Sequence, residues 1–237
     1  MWNSLWQSLT WQDLLALGWF WMCWFGYTWL AEKGATGSRS LIGVTHRYRE
    51  AWAREMPTRD MPVTDASLVG NLMGSVSFYA STTIYIIAGL LALVGTVDKI
   101  SSFAADLPFA QQSTREMLEL KLLVLIVIFV AAYFKFTWAL RQFNFLCILI
   151  GGMPHERNLE KPRWNKMSQR IARINSFAGD EFNRGIRAYY FGIAALAWFI
   201  QPWLFLVATT GVVWILYQRD FRSATLAVLA EDMPDPL

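Results

Sequence analysis

The feature that most constrains this chain is the alternation of long apolar blocks with short polar stretches. A helix that crosses a bilayer needs about twenty mostly apolar residues. Four blocks approach or exceed this length, at residues 14–30, 76–97, 118–139 and 188–217. We therefore expect an all-α membrane protein with about four transmembrane helices, forming a single transmembrane domain over residues 1–237.

Composition supports a bilayer rather than an aqueous environment. Of 237 residues, 16% are charged and 55% are hydrophobic, whereas soluble domains are about one quarter charged. No basic residue precedes the first block and no small-residue cleavage site follows it, so a secretory signal peptide is disfavoured. Its tryptophans instead fit interfacial anchors, and they are Trp2, Trp6, Trp11, Trp19, Trp21, Trp24 and Trp29.

The distribution of Lys and Arg predicts an orientation. The connections at residues 32–65 and 152–184 hold thirteen basic residues, against four in the N-terminal stretch, the 97–116 connection and the tail after Tyr217. Basic connections stay on the cytoplasmic side. We therefore expect both long connections inside and both termini on the periplasmic or extracellular side of a bacterial inner membrane.

The second and third helices are predicted to be longer than the bilayer is thick. Apolar sequence with few breakers runs over residues 66–100 and 116–150. Each stretch would form a helix of about 50 Å, against about 30 Å of hydrocarbon. The excess lies at the cytoplasmic ends, so we expect an antiparallel hairpin that projects into the cytoplasm, joined outside by residues 97–115.

Short amphipathic helices are expected in the two cytoplasmic connections. Residues 47–56 fit one, ended by Pro57 and Pro62. In the second connection Met167, Ile171, Ile174 and Phe177 recur at helical spacing. This helix would lie on the inner leaflet or pack on the hairpin. On the inner leaflet its candidates for binding lipid headgroups are Lys166, Arg170 and Arg173.

Two neighbouring faces of the second helix are candidates for function or assembly. A polar stripe has side chains at three- and four-residue spacing, namely Asn71, Ser75, Phe78, Thr82 and Tyr85. Beside it lies a small-residue face, made of Gly70, Gly74, Ser77 and Ser81. Such faces let helices approach closely. The stripe either contributes hydrogen bonds to this packing or lines a water-filled path.

The third helix carries polar groups at multiples of seven residues, hence on one face: Lys121, Lys135 and Gln142. Lys135 is near the predicted cytoplasmic boundary, where its stem can reach the headgroups. Three interpretations remain open for it. These are snorkelling or a structural ion pair, a cationic ring in an oligomeric pore that selects anions, and binding of a lipid headgroup.

The fourth block contains Pro202 in mid-span, which removes a backbone donor and predicts a kink within the packing. Just before this block, Arg184 and Arg187 have Asp180 and Glu181 within helical reach. We expect these four residues to form ion pairs.

Residue types that carry catalysis or bind metals are scarce. His46 and His155 are far apart, and Cys23 and Cys147 lie in different apolar blocks. We find no paired-histidine zinc signature, phosphate-binding glycine loop or serine elbow. No cofactor, metal site or disulfide is therefore predicted, and a net charge of +3 gives no reason to expect nucleic acid.

Several stretches resemble an uncharacterised membrane family. The first is the run Ser77-Phe78-Tyr79-Ala80-Ser81-Thr82-Thr83-Ile84. The others lie in the third helix and just after it, and they are Phe134-Lys135-Phe136-Thr137-Trp138, Arg141-Gln142-Phe143-Asn144 and Gly151-Gly152-Met153-Pro154. These are similar to the family catalogued as domain of unknown function 599. The resemblance implies a small multi-span helical protein with no assigned activity.

Three functions are compatible with these features. The first is an oligomeric channel or passive transporter for an ion or small solute, based on the polar stripe and the lysine face. The second is a non-catalytic accessory or scaffold subunit of a larger membrane complex. The third, a membrane enzyme acting on lipid, is disfavoured because no acid–base pair or nucleophile has workable spacing. The expected partners are the bilayer, further copies of the chain, and a membrane-complex partner in the second case.

Overall fold

The computed structural model describes residues 10–32, 37–59, 63–97, 114–153, 161–231 and 233. Within these ranges the chain is helical and has no strand, which confirms the predicted all-α class. The helices are α1 (Trp11–Glu32), α2 (Leu41–Glu55), α3 (Val63–Val94), α4 (Arg115–Gly151), α5 (Lys161–Leu196), α6 (Pro202–Phe221) and α7 (Ala224–Glu231). Short 3-10 helices cover Met56–Thr58 and Ala197–Phe199.

Local chemistry explains several helix ends. The Ser40 hydroxyl accepts a hydrogen bond from the Gly43 backbone N–H at 3.2 Å and so caps α2. Pro57 then stops α2, whose last turn tightens into the 3-10 helix at Met56–Thr58. The predicted helix at 47–56, ended by Pro57, is thus present and begins six residues earlier than expected. Pro62 lies outside the described residues.

Three helices in the described part of the chain are long and apolar enough to cross a membrane. They are α1, α3 and α4, with 22, 32 and 37 residues. The expected lengths of the second and third helices are therefore confirmed. The segment that joins them, residues 98–113, lies outside the description.

The fourth predicted span is not one continuous helix. Apolar sequence continues from 188 to 217, but α5 ends at Leu196 and α6 begins at Pro202. The ring of Phe20 lies 5.6 Å from that of Phe191 and 5.1 Å from that of Phe205. A straight helix would separate two residues fourteen positions apart by about 21 Å. The chain therefore folds back at 197–201, where we expected a mid-span kink.

This turn also sets the direction of α6 relative to α1. Trp11 packs against Trp203, and the Trp19 indole donates to the Thr210 hydroxyl at 3.1 Å. Residues later in α1 therefore contact residues later in α6, so the two helices are parallel. The α6 C-terminus lies at the same end as the α1 C-terminus, opposite Trp11.

The second connection also differs from the prediction. In place of a short amphipathic helix, α5 continues for 36 residues from Lys161 into the former fourth block. No proline lies between residues 177 and 188, and the helix continues through Gly179 and Gly185. Ile171 is fully buried while Phe177 is 53% exposed, so only part of the predicted apolar stripe is packed.

The chain divides into two compact units. Unit 1 contains residues 1–29, 82–133 and 185–217, and its core holds aromatic rings such as Phe20 and Trp198. Unit 2 contains residues 30–81, 134–184 and 218–237. In unit 2 the Phe136 ring packs against Tyr79 at 5.6 Å and Phe182 at 5.9 Å, which joins α3, α4 and α5.

Candidate functional site

One side of α3 is packed and the other is not. Successive helical residues are rotated by about 100°, which places the buried Val69, Val76, Ala80 and Thr83 on one side. Small and polar side chains occupy the opposite side, which we call the outward face. Its exposed members are Gly70, Asn71, Gly74, Ser75, Ser77, Phe78, Ser81 and Tyr85, while Thr82 at its edge is half-buried.

The outward face has room for another helix. A Cβ atom added to Gly70 or to Gly74 would meet no atom within 4 Å. Tyr85 is 77% exposed. The Ser75 hydroxyl donates to the Asn71 carbonyl at 3.1 Å, so this serine binds its own helix. Except for the half-buried Thr82, the small-residue face and the polar stripe predicted from spacing are therefore exposed in the part of the chain that the structure describes.

The lysine face of α4 is arranged differently. Lys121 is 1% exposed, with its ammonium 5.6 Å from the centre of the Trp198 ring. The Trp198 indole in turn donates to the buried carboxylate of Asp13 at 2.8 Å. Lys121 thus belongs to a buried cluster inside unit 1. Gln142 is also buried, at 7% exposure, and its side-chain oxygen has no hydrogen-bond partner among the described residues.

Lys135, the third member of that face, forms an ion pair. Its ammonium lies 2.9 Å from the Glu181 carboxylate, which confirms the ion-pair interpretation. Arg184 also binds Glu181, as helical spacing predicted, and donates to Glu32 at 2.6 Å. The hydrogen bonds to Glu32, with the charge of Glu181, raise the pKa of the Arg184 guanidinium. We call Glu32, Lys135, Glu181 and Arg184 the charge hub.

Helix α2 docks beside the charge hub through a second set of polar contacts. His46 lies 2.7 Å from the Asp180 carboxylate, so Asp180 pairs with a distant residue. The Arg49 guanidinium lies against Gly179, where a Cβ atom would collide with it. Burial lowers the pKa of Arg49, and the charge of Asp180 acts in the opposite direction. These contacts attach the first long connection, which contains α2, to α5.

Sequence reasoning found only the local part of this arrangement. The Arg184–Glu181 pair follows from three-residue spacing on one helix. Glu32 lies 152 residues from Arg184 and gave no comparable signal. His46 was noted only as isolated, and its partner is 134 residues away. Such pairs depend on how the helices assemble, which periodicity does not encode.

An open cavity of about 470 Å³ adjoins the charge hub. Its lining combines the Lys135–Glu181 pair with Arg141, Thr137 and the exposed aromatics Phe134 and Trp138. The opposite charges of the pair largely cancel at this wall. The hub therefore has the character of a structural clamp. Among the described residues no His, Cys, Asp and Glu side chains group to hold a metal ion.

The basic residues predicted to bind lipid headgroups share one side of α5. Lys166, Arg170 and Arg173 are all exposed, whereas Ile171, Ala172 and Asn175 on the other side are buried. Pro202, predicted to be a packing residue, is buried at the start of α6. His155 lies outside the described residues.

These features define an all-helical protein whose three longest apolar helices suit a membrane and whose outward face on α3 is open. The chain belongs to the family described as "Protein of unknown function, DUF599", whose model matches residues 15–225. The resemblance noted in the sequence is thereby confirmed. Comparison with curated proteins and with solved structures gives no match.

Proposed function

We propose that this protein assembles into a homo-oligomeric, channel-like membrane protein that passes an ion or small solute along a path lined by the outward face of α3. The observation that supports this most is the exposure of small and polar residues on that face of a candidate membrane span. Ser77, Ser81 and Tyr85 lie within the predicted span at 76–97, and polar side chains inside a bilayer normally face protein or water rather than lipid.

Assembly would use both parts of the outward face. Open glycines at positions 70 and 74, on the cytoplasmic extension of α3, let a neighbouring helix approach closely. Asn71 and Ser75 lie beside the glycines, Tyr85 lies further along the same face within the span, and all three would then line the path. Lys121 and Gln142 are buried within the protomer. The proposal therefore assigns the path to α3 and removes these two residues from its lining.

The proposed topology follows from the turn at 197–201. The α5–α6 hairpin returns the chain, which gives five crossings, an N-terminus outside and a C-terminus inside. This topology places Arg219 and Arg222 with the two basic connections. Fifteen basic residues are then inside and two outside, a stronger asymmetry than both termini outside would give. The hairpin ends of α3 and α4 would project into the cytoplasm of a bacterial cell.

An accessory or scaffold role is the second candidate. The same open glycines would accept a helix from a different membrane protein as readily as a helix from a second copy. The charge hub and the docked α2 would then give that partner a rigid cytoplasmic platform. Subunit composition separates the two candidates.

Substitution of Asn71 tests the proposed path. A carboxylate ring in a pore favours cations, so Asn71→Asp should shift the reversal potential of reconstituted protein in a KCl gradient towards that of K⁺. Asn144→Asp is the matched control, because Asn144 is an exposed asparagine on α4. A conductance that responds equally to both substitutions, or no flux of any ion or small solute tested, would exclude the path.

A further inference from the structure

A second cavity, of about 540 Å³, lies within unit 2 at the other face of α2. Its walls come from the start of α2, the end of α6 and the short helix α7. No residue of this cavity was singled out by motif or spacing. The residues that form it are far apart in sequence, so only the folded chain brings them together.

Three arginines line this cavity: Arg39, Arg47 and Arg222. Among the lining residues that the structure describes, none is acidic. This contrasts with the cavity beside the charge hub, where Glu181 offsets the neighbouring cations. Guanidinium groups bind phosphate through paired, planar hydrogen bonds. The described lining therefore favours an anion over a cation.

The rest of the lining is mostly apolar. Val44, Leu226 and Met233 line the cavity together with hydroxyl groups such as that of Ser223. The combination of polar and charged groups with apolar side chains matches a ligand that has one anionic end and one hydrocarbon end. Sites that bind small ligands combine apolar walls with a few placed polar groups in this way.

Specific contacts hold the walls in place. The Tyr48 hydroxyl on α2 donates to the Leu229 carbonyl on α7 at 3.0 Å. The Ser223 hydroxyl accepts from the Leu226 backbone N–H at 3.1 Å and caps α7. The positive end of this helix dipole therefore also lies at the lining. The cavity is a formed feature of the fold.

We propose that this cavity binds a phosphate-bearing amphiphile, with the three arginines on the phosphate and the apolar wall against its hydrocarbon part. Arg39 follows the end of α1 by seven residues and Arg222 directly follows α6. Both lie within a short length of chain from apolar helices. This position favours an anionic phospholipid as the ligand. A soluble phosphate ester carries the same phosphate chemistry and is the alternative ligand.

Binding of defined lipids to the full-length protein tests this assignment. Native mass spectrometry in detergent should detect phosphatidylglycerol bound in preference to phosphatidylcholine. Arg47→Gln and Arg222→Gln should each weaken phosphatidylglycerol binding about tenfold, because each removes a charge-assisted contact to phosphate. Arg115→Gln removes the same charge from an exposed position at the start of α4 that is not part of the cavity lining, so it should change binding less than about twofold.

A variant that fills the cavity distinguishes a specific loss of binding from a loss of fold. Ala227 lines the cavity and is exposed, so Ala227→Phe should block binding while all three arginines remain. Competition by glycerol phosphate, with the same dependence on Arg47 and Arg222, would support phosphate recognition from a soluble source. Equal phosphatidylglycerol binding by wild type, Ala227→Phe and the arginine variants would overturn the assignment, as would no binding of either probe.

Discussion

At residue 184 a single guanidinium joins carboxylates from two distant parts of the chain. It donates to Glu32 at the end of α1 and to Glu181 one turn earlier on α5, while Lys135 reaches the same Glu181 from α4. The Glu181 side chain is 10% exposed and that of Lys135 is 43% exposed. A partly shielded network of this kind contributes more than an isolated surface pair.

Substitutions in the charge hub should therefore lower stability. Arg184→Gln leaves Glu32 and Glu181 without their shared partner, and we expect it to lower the free energy of unfolding in detergent by about 2 kcal/mol. A double-mutant cycle between Lys135→Gln and Glu181→Gln should give a coupling of about 1 kcal/mol. Thermal or denaturant unfolding of the purified protein measures both values.

The chain provides a matched control pair for this cycle. Arg115 and Glu119 are four residues apart on α4, with side chains 58% and 43% exposed. Their coupling energy should be about 0.3 kcal/mol, because solvent screens the attraction between the two charges. A coupling in the charge hub no larger than in this pair would show that the hub is merely another surface contact.

At the scale of helices, the α5–α6 hairpin is the element that changes the interpretation of the chain. Hydropathy assigns an apolar block of this length to one span, because it does not indicate where the chain reverses its direction. We interpreted Pro202 as a kink within one span, although a proline is also compatible with a turn. The contacts of Phe20 with both Phe191 and Phe205 show that the chain turns between these two residues.

The hairpin predicts where the C-terminus lies in cells. In a variant without Cys23 and Cys147, a cysteine placed at Thr225 should react with a membrane-impermeant thiol reagent only after permeabilisation. A cysteine placed at Ser4 should react in intact cells, because the N-terminus is proposed to lie outside. Labelling of the Thr225 cysteine in intact cells would instead support four crossings with both termini outside.

The limits of prediction are clearest on α3 and α4. Periodicity correctly grouped Gly70, Gly74, Asn71 and Ser75 on adjoining faces, because a helix fixes which residues share a side. The same reasoning grouped Lys121 with Lys135, although one is buried under Trp198 and the other pairs with Glu181. Spacing gives the side of a helix that a residue occupies, and the tertiary packing decides what that side meets.

At the scale of the whole molecule, the two units differ in the kinds of side chains that they bring together. Unit 1 is packed around aromatic rings and contains the buried Asp13–Trp198–Lys121 cluster. Unit 2 contains the charge hub and the arginine-lined cavity. Helix α3 contributes residues to both units. Self-association through this face is the central claim of the account.

Native mass spectrometry of the protein released from nanodiscs tests that claim most directly. The account predicts a closed homo-oligomer for the wild type, and dissociation towards monomer when Gly70 and Gly74 are both changed to leucine, because larger side chains prevent close helix approach. Gly18→Leu, at an exposed and equally open glycine of α1, should leave the oligomer intact. A wild-type monomer, or an oligomer unchanged by the Gly70 and Gly74 substitutions, would contradict the account.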